Sequence, residues 1–208
     1  MLQTATDREL TQAPVCVEDA AFLFADIVGF TAFTEDHGDA RAAELAWRLR
    51  LGVEGQLGTD AHVVKTLGDA VMVRIADPVE AAAAGLLIIE RALPGPVDPP
   101  VRVGIASGPA VECDGDFFGA AVNRAARVAA LAGAGEVLVS DEFAQVARSQ
   151  SIELERRGVK RLRNISRPVV VHAVRARAGA SARRECEPRA HARTVRPSSR
   201  AGADHVHA

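Results

Sequence analysis

Residues 21–31 read AFLFADIVGFT: an apolar run, an aspartate at position 26, then Ile27-Val28-Gly29-Phe30-Thr31. So short an apolar run, closed by a glycine, predicts a buried strand over 21–27 feeding a loop. Outward from it, Ala42, Leu45, Ala46, Leu49 and Val53 repeat at helical spacing and make one apolar face. Residues 62–65 and 70–75 are β-rich and flank Thr66-Leu67-Gly68-Asp69, which predicts a hairpin. Pro78 opens a second helix that Pro94-Gly95-Pro96 stops, and 101–106 is a further strand. Residues 108–116 read as a turn-rich connection and 119–132 as a third helix. A strand at 136–139, a short helix at 141–148 and strands at 152–154 and 169–174 follow. Strand, helix, hairpin, helix, strand is the order of an α+β ferredoxin-like sandwich: a mostly antiparallel sheet with helices on one face.

The rest of the 208-residue chain bounds the possibilities. With 48% hydrophobic and 25% charged residues it is globular in composition. A formal net charge of −2 excludes a strongly basic chain built for nucleic acid. From Arg175 on, eight arginines face three acids in an Ala/Arg/Ser/Pro/His context that cannot bury a core. The expected layout is a leader over 1–18, one folded domain over 19–175 and a disordered basic tail over 176–208. Cys16, Cys113 and Cys186 are scattered, with no CxxC pair, which fits a reducing cytoplasm. The longest apolar run, residues 81–89, falls short of the roughly 18 residues a membrane helix needs, and no signal peptide is visible. A cytoplasmic protein without a transmembrane segment is expected.

Chemistry enters with two aspartates. Asp26 ends a buried strand and Asp69 sits in a hairpin turn, each with a glycine close by. Brought together by a sheet, two carboxylates repel unless a cation lies between them, and hard oxygen donors suit Mg²⁺ or Mn²⁺. Turn capping by each aspartate separately is the alternative. The strand-to-helix loop Gly29-Phe30-Thr31 can aim backbone N–H groups at a phosphate, although many such turns hold no ligand. Asn123 and Arg127 stand one helical turn apart on one face, where an amide and a guanidinium can position a sugar and neutralise phosphate charge; a plain helix surface is the alternative. Arg124 between them reads as surface.

Three blocks together narrow the choice. FADIVGFT over 24–31, KTLGDAVM over 65–72 and GDFFGAAVNRAAR over 115–127 resemble, in order and spacing, the signature blocks of class III adenylate and guanylate cyclases. The likeness runs from about residue 20 to 174. It implies that Asp26 and Asp69, with the Ile27 carbonyl, hold two divalent metal ions per site. It implies that Lys65 and Asp116 read the purine, that Asn123 orients the ribose and that Arg127 stabilises the transition state. It further implies a homodimer whose two sites are shared, the metal aspartates coming from one chain and the other four residues from its partner.

The Lys65/Asp116 pair favours ATP. Adenine offers an acceptor at N1 and a donor at N6, which a lysine and an aspartate complement and which guanine reverses. The expected reaction is ATP to 3′,5′-cyclic AMP and pyrophosphate. Near the end, Gly158-Val-Lys-Arg-Leu-Arg163-Asn164 resembles the family's phosphate-binding loop, with Arg163 where lysine is usual and Asn164 where glycine is usual. Arg163 is the candidate for the triphosphate. Two other readings compete: a catalytically silent cyclase-like module that binds nucleotide, and an enzyme making guanine-derived messengers. The intact six-residue set argues against the first, and the absence of a Gly-Gly-acid run on the hairpin against the second.

Overall fold

The structure is a computed structural model that describes residues 16–95, 97–147 and 152–175. Most of the expected leader and all of the expected tail lie outside the described residues. Thirteen elements follow in the order β1 Cys16–Ile27, α1 Phe30–His37, α2 Asp39–Glu54, β2 Ala61–Leu67, β3 Ala70–Ile75, α3 Pro78–Arg91, β4 Val101–Cys113, β5 Asp116–Phe118, α4 Ala120–Leu131, β6 Val137–Ser140, α5 Asp141–Ala147, β7 Glu153–Lys160 and β8 Val169–Arg175.

One sheet runs β2-β3-β1-β4-β6-β8-β7, with β5 paired to β4 off this path. Among the described residues only β4 and β6 pair in parallel; every other neighbouring pair is antiparallel. Within it β2-β3-β1-β4 and helices α2 and α3 make the βαββαβ core anticipated from the element order. β1 is apolar at consecutive positions because both its faces are covered. Ala21, Leu23, Ala25 and Ile27 meet α2, α3 and α5 residues in one cluster, while Ala20, Phe22 and Phe24 meet α4 in another. The α+β class and mostly antiparallel sheet are as expected. The helices, however, divide: α2, α3 and α5 share one face, and α4 covers the other.

Two glycines set the spacing of these layers. A Cβ on Gly104 of β4 would fall 2.0 Å from the Ala129 nitrogen and 2.7 Å from the Ala125 carbonyl oxygen, so α4 lies directly on that strand. On Gly52 of α2 it would fall 2.1 Å from the Ala92 carbonyl oxygen, which brings α2 equally close to the end of α3. Asp77 starts α3 by accepting from the Val79 and Glu80 N–H groups at 2.6 and 3.2 Å, and Pro78 occupies the first turn, where no donor is lost.

β1 begins at Cys16, inside the expected leader, and β4 continues to Cys113, through what reads from sequence as a turn-rich connection. The two extensions pair with each other from Cys16↔Glu112 to Ala20↔Gly108, so long-range pairing overrides the local Gly108-Pro109 turn signal. β7 is likewise longer than expected because Glu153 to Lys160 pairs along β8. Among the described residues no helix is long and apolar enough to cross a membrane.

Candidate active site

Asp26 stands one residue before the end of β1, opposite Ala70 of β3 on one side and Arg102 of β4 on the other. Asp69 immediately precedes Ala70 in the β2–β3 turn, where Gly68 takes a φ of 63°. The hairpin thus carries the second carboxylate to the first, and both are half-buried. Burial, then the charge of Asp26 beside it, pushes the Asp69 carboxyl up from its ordinary value. Asp69's own backbone N–H and the Arg102 charge act in the opposite direction. A pair of oxygen donors under this mutual repulsion is a donor set that a hard divalent cation fits. The Ile27 side chain is 2% exposed in the core, so only its backbone is available to a ligand.

Arg102 is the residue sequence reading missed. Its Nε and Nη2 donate to Oδ2 of Asp26 at 2.7 and 2.5 Å, and Nη1 donates to the Ala130 carbonyl of α4 at 3.3 Å. The signal was present: one arginine inside the otherwise apolar Val101-Arg102-Val103-Gly104-Ile105. A cation there implies a buried acid on a neighbouring strand.

Lys65 and Asp116 form a second cluster. Lys65 lies on β2 beside an irregularity in the β2–β3 register, and its Nζ is 2.6 Å from Oδ2 of Asp116 and 5.5 Å above the Phe118 ring. Asp116 opens β5 after a turn in which Asp114 and Gly115 take φ values of 58° and 77°. Its Oδ1 accepts the Phe117 N–H at 2.8 Å, and the buried Phe117 ring packs on Phe22 at 5.5 Å between centroids. The carboxylate is therefore fixed through its neighbour's anchorage in the core.

Gly29, with φ 77°, precedes α1 and offers no side-chain cap, which leaves the N–H groups of Phe30 and Thr31 facing outward from the first turn. On α4, Ala121, Val122, Ala125, Val128 and Ala129 are buried, and Asn123 and Arg127 project from the exposed side. Among the described residues neither makes a side-chain hydrogen bond or ion pair, and the same holds for the exposed Arg163. Asn164 after it adopts φ 62°, a conformation asparagine tolerates, so its replacement of glycine keeps a tight turn. Arg124 is more than surface: it reaches Glu142 of α5 at 3.1 Å. A cavity of about 820 Å³ lined by Ala20, Ser107, Ala121, Arg124 and Glu142 contains none of the candidate residues.

One chain thus assembles two clusters, Asp26/Asp69/Arg102 and Lys65/Asp116, and leaves Asn123, Arg127 and Arg163 facing outward. The family model described as adenylate and guanylate cyclase catalytic domain matches residues 14–175, and the chain belongs to that family. A protein of Mycobacterium tuberculosis named pH-sensitive adenylate cyclase is 35% identical over 156 residues, covering 73% of this chain and 39% of that protein. One of Streptomyces coelicolor named adenylate cyclase is 33% identical over 70% of this chain and 37% of its own length. The chain therefore spans about two fifths of the length of these curated relatives. Among solved structures, an adenylate/guanylate cyclase/hydrolase from Silicibacter pomeroyi superposes with a TM-score of 0.64 at 28% identity, over 78% of this chain and 99% of that one. The adenylyl cyclase CyaB from P. aeruginosa shares the fold at a TM-score of 0.65 and 23% identity, over 78% and 96% of the two chains.

Proposed function

We propose that this domain converts ATP to 3′,5′-cyclic AMP and pyrophosphate, in the cytoplasm, as a homodimer with two shared sites. The observation that carries the choice of ATP is the 2.6 Å Lys65–Asp116 pair: one donor and one acceptor side by side, held from the core. Adenine N1 accepts from a lysine and N6 donates to an aspartate; guanine would leave both polar groups opposed. The names of the relatives point the same way.

In this reading Asp26, Asp69 and the Ile27 carbonyl hold two divalent ions, Mg²⁺ or Mn²⁺. When bound, such ions lower the pKa of the ribose 3′-hydroxyl and neutralise the phosphates. The 3′-oxygen bonds to the α-phosphorus, the bond to the bridging oxygen breaks, pyrophosphate leaves and the hydroxyl proton departs to solvent. The outward N–H groups after Gly29, on Phe30 and Thr31, bind phosphate oxygens, and Arg163 binds the triphosphate. Asn123 orients the ribose and Arg127 meets the charge that develops in the transition state. Asn123 and Arg127, exposed and without side-chain partners among the described residues, act on nucleotide held by the other subunit. Exposed Leu67, Phe118 and Leu131, on the elements that carry these residues, supply apolar surface for the association.

The test is direct. The purified chain, supplied with ATP or GTP and Mg²⁺ or Mn²⁺, is expected to yield cyclic AMP from ATP and little cyclic GMP, with Asp69→Ala inactive. Equal turnover of GTP would overturn the Lys65/Asp116 reading, and no product from either nucleotide at high protein concentration would overturn the enzyme.

A further inference from the structure

Arg102 and Asp26 are cross-strand partners in the centre of the sheet, and their pairing is one-sided. Both guanidinium contacts, from Nε at 2.7 Å and Nη2 at 2.5 Å, fall on the single oxygen Oδ2. The third group, Nη1, is tied to the Ala130 carbonyl in the last turn of α4. The guanidinium is thus held from two directions, by a strand carboxylate and by the carbonyl end of a helix, each of which favours a cation. Side-chain exposure is 27% for Arg102 and 16% for Asp26, so solvent screens the pair only in part. Asp69 approaches the same Asp26 from the β3 side. Asp26 therefore stands between a fixed cation and a second carboxylate.

We propose that Arg102 is a built-in counter-ion of Asp26 that sets the affinity of this site for divalent metal. The inference rests on the reading of Asp26 and Asp69 as metal ligands. A metal ion arriving between the two carboxylates meets a positive charge already bonded to one of them. Whether it takes Oδ1 or shares Oδ2, it lies within a few ångströms of the guanidinium, and the repulsion between the two cations weakens binding. The same contact orients Asp26 when no metal is present. Arg102 is a positioning residue: it acts through Asp26. A purely structural role predicts that its loss weakens metal binding, whereas the counter-ion role predicts the reverse.

The experiment is a Mn²⁺ titration of the full chain without nucleotide, following the electron paramagnetic resonance of free Mn²⁺. Wild type is compared with Arg102→Gln, Arg102→Met and Asp26→Asn, each checked for native circular dichroism. Methionine keeps the aliphatic stem that packs against the sheet while dropping the charge, so a folded neutral variant does not depend on glutamine alone. Whichever neutral variant folds is expected to bind Mn²⁺ roughly tenfold more tightly than wild type, the scale on which groups just outside a metal's ligands act. Asp26→Asn is expected to abolish that binding. Unchanged or weaker binding in the neutral variants, with wild type binding normally, overturns the counter-ion role alone. Mn²⁺ binding by neither wild type nor a neutral variant overturns the metal reading of the aspartates, and the counter-ion role with it.

Discussion

At Asp98 the chain ties a loop to a helix with one carboxylate, and that carboxylate is a test of electrostatics away from the candidate site. Arg48 of α2 donates to both its oxygens, at 3.0 and 2.5 Å, and the Gly95 N–H donates to Oδ2 at 2.9 Å. The Arg48 bond, with a smaller contribution from Gly95, holds the Asp98 carboxyl below the usual range against the opposing effect of burial. A carboxyl whose folded pKa is depressed stabilises the fold at pH values above its unfolded pKa and loses that contribution as pH falls through the folded value. Asp98→Asn is therefore expected to cost about 1–2 kcal/mol at neutral pH, a modest figure because Arg48 is partly in solvent. In urea melts of both proteins, the gap should narrow once pH drops below the ordinary carboxylate range near 4. A gap that stays constant down to pH 3 would show that shape, not charge, does the holding. Residues of this kind differ in how plainly sequence exposes them. Asp26 stands out because it interrupts an apolar run. Arg102, equally out of place in its strand, has a meaning only once a partner 76 positions away is known.

Elements were legible where their signals are local and obscured where pairing is distant. The β2–β3 hairpin follows from a glycine between two β-rich runs, and α3 from a proline start and a Pro-Gly-Pro stop. The far half of β4 carries Gly108 and Pro109, both turn residues by habit, yet it pairs with β1. The face that α4 covers was equally hidden: its apolar stripe says that it packs, while only the alternation of β1 and β4 says on which side. Gly104 records that packing, since its missing side chain lets α4 approach. Gly104→Ala is expected to force α4 off the sheet at a cost of about 2–3 kcal/mol, lowering the melting temperature by roughly 5–10 °C. Asn123 and Arg127 would shift with the helix, so cyclase activity should fall more steeply than the folded fraction. Gly133→Ala, whose added atom would come no nearer than 3.6 Å to anything, serves as the control and should melt close to wild type. Similar melting of the two variants would mean that the contact at Gly104 relaxes at no cost.

One copy of the molecule holds the Asp26/Asp69 pair and the Lys65/Asp116 pair, but among the described residues its Asn123 and Arg127 make no side-chain hydrogen bond or ion pair. A closed symmetric dimer resolves this if each site takes Asp26 and Asp69 from one copy and Lys65, Asp116, Asn123 and Arg127 from the other. Such sharing has an arithmetical signature that does not depend on knowing the interface. Asp69→Ala and Arg127→Ala should each be inactive alone, because both sites of either homodimer lack an essential group. Mixed in equal amounts and allowed to exchange, half of the dimers carry one chain of each kind. In those dimers one site collects both lesions and the other collects neither. About a quarter of the wild-type activity should therefore return, provided that the variants associate as wild type does. Cyclic AMP production, measured as the mixing ratio is varied, should peak at equal amounts and vanish at either end. A mixture as inactive as its components, with dimers demonstrated by sedimentation, would place all six residues of a site in one chain. It would also leave Asn123 and Arg127 to reach Asp26 through a rearrangement of α4.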